Sequence, residues 1–179
     1  MRIVLTAVGR DRPGIVAGVT RVLYEHGGNL EDSSMTRLEG EFAVILIVSV
    51  PDDSSVEKLR AAFEAAGNSL GLTIHLKALD AAPLSANGEA GEAHIISVYG
   101  ADRPGIVYRV AQTLADRGVN ISDVVTHRAT SSQVPLYQLM LEVELPARVD
   151  ASALDADLQA LARELGVQVS LREMEAVEL

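Results

Sequence analysis

The chain has 179 residues and no cysteine, which rules out disulfides, thiol nucleophiles and thiolate metal sites. Its formal net charge of −10 argues against a direct grip on nucleic acid, whose phosphates require a basic face, while 48% hydrophobic residues suffice for a packed interior. No apolar run approaches the ~18 residues of a membrane span and no charged-then-apolar leader is present, so a cytoplasmic location is expected.

Taken in order, Ile3 to Val8 reads as a strand. The loop Gly9-Arg10-Asp11-Arg12-Pro13-Gly14 follows, and from Ile15 a helix with Ile15, Val19, Val22 and Leu23 on one face. Gly27-Gly28 supplies its stop signal. Leu30 to Leu38 is a more polar strand, Glu39-Gly40-Glu41 a hairpin turn, and Phe42 to Val50 the most apolar strand of the chain. Pro51-Asp52-Asp53-Ser54 breaks that strand and caps a second helix with Val56, Leu59, Phe63 and Ala66 on its apolar face. Gly67 to Gly71 is expected to turn into a last strand, where Leu72, Ile74 and Leu76 alternate with polar residues. Ala78 to Glu92 carries no period and reads as a linker. Beyond it come a strand (His94 to Tyr99), a helix (Ile106 to Arg117) and a strand (Asn120 to Arg128). An irregular stretch, Ala129 to Pro135, precedes a strand (Leu136 to Leu145), a helix bearing Leu154, Leu158, Leu161 and Leu165, and a final strand with Val167, Val169 and Leu171.

The chain thus spells one unit twice. At an offset of 91, residues 9–37 match residues 100–128 at 13 of 29 positions, among them Val19, Leu23, Gly27, Asn29, Asp32 and Arg37. After Arg37 the offset becomes 95, which places four extra residues in the second copy's hairpin and aligns Pro51 with Pro146 and Gly71 with Gly166. Each unit reads as βαββαβ, the α+β ferredoxin-like arrangement of a four-stranded antiparallel sheet with both helices on one face. The expected domains are 1–77 and 93–179, with 78–92 as linker.

The repeated loop is the candidate site. Pro13 and Pro104 suit a first helical turn, and Gly14 and Gly105 leave no side chain over the free N–H groups of that turn. Unpaired donors and the positive end of the helix dipole make such a turn able to hold an anion, although a plain strand-to-helix connection has the same outline. A free amino acid presents a carboxylate and an ammonium close together. The N–H groups of Gly14 and Ile15 suit the former, and Asp11 or the side-chain oxygen of Asn29 the latter. Asp11 and Asp102 also fit as helix caps, Asn29 and Asn120 as turn residues, and Arg12 and Arg103 as solvated or ion-paired groups. Asp32 and Asp123 fit best as edge-strand residues.

The strand–GxDRPGIV–helix–GxN–strand pattern resembles the ACT domain, a small-molecule sensor usually specific for amino acids. Two such domains resemble the glycine cleavage system transcriptional repressor group, and the first unit also resembles the N-terminal domain of formyltetrahydrofolate deformylase. The resemblance implies amino-acid binding at an interface between ACT units, in the groove beside the loop. It implies contacts from Asp11, Arg12, Pro13, Gly14, Ile15 and Asn29, and from Asp102, Arg103, Pro104, Gly105, Ile106 and Asn120. It further implies glycine or another small amino acid as ligand, and action through a partner regulatory protein without a DNA-binding domain of its own. The alternatives are a structural or assembly module, or a detached regulatory subunit of an amino-acid enzyme, without live ligand binding.

Other chemistry finds little purchase. His26, His75, His94 and His127 show no ligand spacing, with a helix end expected for His26 and solvent-facing strand positions for His75 and His127. Phosphate-loop, nucleophile-elbow and dinucleotide glycine patterns are missing, and aromatics at 3% are too few for an RNA-stacking sheet. Neither an enzymatic activity, a cofactor nor a metal is expected.

The third strands of the two units differ on one face. Phe42, Val44, Leu46, Val48 and Val50, and Tyr137, Leu139, Leu141, Val143 and Leu145, are apolar as a helix-covered face must be. The opposite face carries Gln138, Met140, Glu142 and Glu144 in the second unit, but Ala43, Ile45, Ile47 and Ser49 in the first. A cover over Ile45 and Ile47 is expected, and a homodimer through this face is the favoured one.

Overall fold

The computed structural model describes residues 1–51, 56–79, 91–129 and 135–174, and the chain divides into two compact units, Met1–Pro83 and Leu84–Leu179. In the first, β1 (Arg2–Arg10) is followed by α1 (Ile15–Glu25), β2 (Asn29–Leu38), β3 (Glu41–Ser49), α2 (Val56–Leu70) and β4 (Leu72–Leu79). The second repeats the order with β5 (Glu92–Ala101), α3 (Ile106–Asp116), β6 (Asn120–Ala129), β7 (Leu136–Leu145), α4 (Ala151–Leu165) and β8 (Val167–Glu173). The sheets run β2-β3-β1-β4 and β6-β7-β5-β8, every neighbouring pair antiparallel. This is the ferredoxin-like α+β fold, formed twice.

The inner face of each sheet and the apolar stripes of its two helices close one core. In the first unit Ile3, Leu5 and Ala7 of β1 meet Phe42, Leu46 and Val48 of β3, under Ile15, Val19, Val22 and Leu23 of α1 and Leu59 and Phe63 of α2. Every residue read as the apolar face of the first helix is buried. Phe63 and Leu158 fill the corresponding depths of the two units. Both first helices end in the same way. Gly27 and Gly118 adopt φ near 68°, and the N–H groups of Gly28 and Val119 reach back to the carbonyls of Leu23 and Leu114, so a left-handed glycine satisfies the last turn. The β2–β3 hairpin turns on Glu39 and Gly40, both at positive φ, as a two-residue connection in a twisted sheet requires.

Several expectations are corrected. Gly67 is not part of a turn: it is buried inside α2, which continues to Leu70. A Cβ there would stand 2.8 Å from the carbonyl oxygen of Leu72, so this glycine lets α2 lie close against β4. The strands are also longer than their apolar stretches, because pairing continues past the core: β1 extends through Gly9 and Arg10, and β5 spans Glu92–Ala101. β4 runs to Leu79 and β5 starts at Glu92, which takes both ends of the expected linker into the sheets; of the residues between, 80–90 lie outside the described residues. The same holds for the expected cap at residues 52–55 and for residues 130–134 of the irregular stretch. The equivalent cap of α4 is visible, where the Asp150 carboxylate accepts from the N–H groups of Ser152 and Ala153. Among the described residues no helix is long and apolar enough to cross a membrane.

His26 closes α1, its Nδ1 2.9 Å from the Val22 carbonyl oxygen, and His75 and His127 are exposed on their strands. His94 is instead buried at the start of β5, with Nδ1 3.0 Å from the Glu92 carbonyl oxygen. On the outer face of the first sheet Ile45 is 45% exposed and Ile47 half-buried.

Candidate functional site

The loop between β1 and α1 is held by its backbone. The Asp11 N–H donates to the Gly40 carbonyl at 2.8 Å, tying the loop to the β2–β3 hairpin, and Asp102 N–H donates to the Pro135 carbonyl at 3.1 Å in the second unit. Gly14 and Gly105 stand at the helix N-caps with φ of 93° and 95°, a left-handed backbone that favours glycine. A Cβ on either would meet nothing within 4 Å, so the space above each loop is open. The first helical hydrogen bonds run from Gly18 N–H to Gly14 O and from Arg109 N–H to Gly105 O. The N–H groups of the preceding turn therefore have no acceptor within the helix. Ile15 and Ile106 bury their side chains in the cores and offer a ligand only their backbone.

The charged loop residues are engaged, and in the same way in both units. Asp11 does not cap α1, whose N-cap makes no side-chain hydrogen bond. Its Oδ2 lies 3.2 Å from Nη1 of Arg37, the next-to-last residue of β2. Asp102 likewise leaves α3 uncapped and pairs with Nε of Arg128 on β6 at 2.9 Å. The acids are only 31% and 29% exposed, the arginines 70% and 60%. Arg12 donates from Nη2 to the Ser69 carbonyl at 3.0 Å, near the C-terminal end of α2, and Arg103 reaches Leu165 O at the end of α4. Both arginines thus serve last-turn carbonyls that a helix leaves without partners.

The two asparagines lie elsewhere. Asn29 opens β2 opposite Ser49, which pairs with Arg2, whereas the loop leaves the other end of β1, where Arg10 pairs with Glu41. Eight register steps separate the two ends, about 26 Å at strand spacing, so one ligand cannot touch Asp11 and Asn29 of the same unit. Asn120 stands in the same relation to Asp102. Asp32 and Asp123 are edge-strand residues beside matching bulges, where pairing skips one residue after Leu30 and after Ile121.

Two hollows of the first unit bear on the site. An open cleft of about 540 Å³ lies between the loop and the end of α2, with Arg10, Asp11 and Arg12 facing Asn68 and Ser69. An apolar groove of about 120 Å³ runs between α1 and the inner face of β2 and β3, with Val16, Val19, Leu30 and Met35 among its walls. The arginine partner of each acid was not singled out from the sequence as a site residue. The signal was present, since Arg37 and Arg128 are matched positions of the repeat.

A family model for the ACT domain matches residues 1–77 and again 92–172. The chain belongs to the ACT domain family. It carries that domain twice and, over 171 residues, is 29% identical to the glycine cleavage system transcriptional repressor of Escherichia coli K12, covering 94% of this chain and 88% of that protein. A single-domain relative, a UPF0237 protein of Methanopyrus kandleri, is 47% identical over 74 residues, or 41% of this tandem ACT chain and 82% of that protein. A crystal structure of an unknown protein from Galdieria sulphuraria superposes with a TM-score of 0.79 at 28% identity, covering 97% of this chain and 98% of that one.

Proposed function

We propose that this ACT protein senses an amino acid and passes its occupancy to a partner regulatory protein, without a reaction or a cofactor of its own. The observation that carries the reading is the duplicated loop, which combines uncapped N–H groups at a left-handed glycine with a carboxylate about 30% exposed. The N–H groups suit the ligand's carboxylate and Asp11 or Asp102 its ammonium. The similarity to the Escherichia coli repressor supports transcriptional regulation as the output. The net charge of −10 favours a protein partner over nucleic acid, and a cytoplasmic site of action fits that output. The ligand class proposed is glycine or another amino acid with a small or aliphatic side chain.

One observation favours the alternative of a structural module. Asp11, Arg12, Asp102 and Arg103 all have partners inside their own unit, as clamps of a loop would. Calorimetric titration of the wild type and Asp11→Ala with glycine and the common L-amino acids separates the two. Sensing predicts a wild-type ligand whose affinity falls about tenfold or more in the variant, with little change in melting temperature, since an exposed ion pair is worth about 0–1 kcal/mol. A wild type that binds no amino acid overturns sensing and favours the clamp.

A further inference from the structure

We propose that Arg37 takes the carboxylate of the bound amino acid alongside the loop N–H groups, and that the groove between α1 and β2 selects a ligand with an aliphatic side chain. This rests on the amino-acid reading above. Three observations meet at one place. The Asp11–Arg37 contact engages one carboxylate oxygen and one guanidinium nitrogen, at 3.2 Å, and no other contact of either side chain accompanies it among the described residues. One oxygen of the carboxylate and four of the five guanidinium N–H donors are therefore left for a ligand. An α-amino zwitterion laid against that pair completes a ring of alternating charges, its ammonium on Asp11 and its carboxylate on Arg37, with no need to break the pair first. The same acid–arginine pair recurs as Asp102–Arg128, although the two units differ at 16 of the 29 aligned positions (29 less 13 matches).

The second observation is direction. Arg37 follows Met35 by two residues on β2, so both project from the same face of the sheet, the face that α1 covers. Met35 is a wall of the apolar groove, as is Val16 of the first helical turn. Arg37 therefore stands at the loop end of the groove, and a ligand held by the ion pair points its side chain towards Met35 and Val16; Leu30, six register steps from Arg37, lies about 20 Å off at the other end. The third is that this wall is open to a ligand: Val16 and Met35 are among the exposed large hydrophobic residues of the chain. Glycine leaves that surface wet, whereas valine, leucine or isoleucine covers it. In the second unit Thr126 replaces Met35, so the charge receptor is kept and the wall is altered.

The test is calorimetry on the full chain with glycine, L-valine, L-leucine and L-valinamide, for wild type, Arg37→Gln, Arg37→Gln with Arg128→Gln, Arg37→Lys, and Arg21→Gln as a control arginine away from the loop. Melting temperature is measured on each variant to confirm folding. The expected result is that leucine or valine binds the wild type about tenfold more tightly than glycine, and that valinamide is rejected. Arg37→Gln should then weaken binding about ten- to a hundredfold, Arg37→Lys should restore part of it, and Arg21→Gln should leave it unchanged. Glycine binding as tightly as leucine would overturn the groove's role and leave the amino-acid reading standing. Undiminished binding of the preferred ligand in the double glutamine variant would overturn the role of Arg37. A wild type that binds none of the amino acids overturns both this inference and the reading beneath it.

Discussion

Replacing Gly14 with alanine tests the loop in two separable ways. Its φ of 93° and ψ of −8° lie where an L-residue is strained, and its Cβ would meet nothing within 4 Å, so no clash adds to the backbone term. The cost is then that of a left-handed residue, about 1–2 kcal/mol. For a unit of this size each kcal/mol lowers the melting temperature by about 4–8 °C, so the first unit of Gly14→Ala should melt roughly 4–16 °C below wild type. Asparagine tolerates this backbone better, and Gly14→Asn should lose less. Gly105→Ala, at φ of 95° and equally free of neighbours, should reproduce the loss in the second unit. Ligand binding answers separately, because a side chain here stands over the N–H groups offered to the carboxylate, and valine crowds them more than alanine. Thermal unfolding followed by far-UV circular dichroism gives the first quantity and calorimetry the second. A Gly14→Ala protein melting with wild type would refute the strain, and undiminished binding in Gly14→Val, Gly105→Val and their combination would refute the loop as the ligand's seat.

Three further outcomes are expected. Gly67→Ala should destabilise by about 1–3 kcal/mol in chemical denaturation, outweighing alanine's better helix propensity, because its Cβ meets the Leu72 backbone oxygen at 2.8 Å; Gly18→Ala should be near neutral, since the atom it meets at 2.7 Å is the end of the rotatable Leu70 side chain. On the outer face of the first sheet, Ile45→Glu with Ile47→Glu should convert a homodimer to a monomer in light scattering, and a wild type that is already monomeric rejects the homodimer.

Much of the fold was legible because its signals are local. The stripe Ile15, Val19, Val22 and Leu23, the glycines after α1 and α3, and the turn at Glu39-Gly40 each act within a few residues, and each stands where its pattern put it. What local pattern missed depends on distant neighbours. Gly67 looks like punctuation until β4 is packed against it, and the ends of β1 are set by pairing with Glu41 and Leu79, which no run of apolar residues announces. The site divides in the same way. The loop glycine, proline and acid were readable in line, but the bond between Asp11 and Arg37 joins residues 26 apart and only the sheet brings them together. The separation of Asn29 from the loop is a matter of strand direction, which spacing along the chain does not encode.

The strand order has a consequence for how the protein is made. β1 is synthesised before the other strands of its sheet, yet it lies inside that sheet, between β3 and β4. Its partner across the Arg2–Leu79 and Gly9–Leu72 pairs is translated about seventy residues later. At about 5–20 residues per second, Ile3 and Leu5 wait roughly 4–14 s without a neighbour on that side. Contacts so distant in sequence also form slowly once both strands exist. The second unit repeats the delay between β5 and β8. During translation, the interval in which aggregation competes with folding of the first unit closes only when Leu79 has cleared the ribosome.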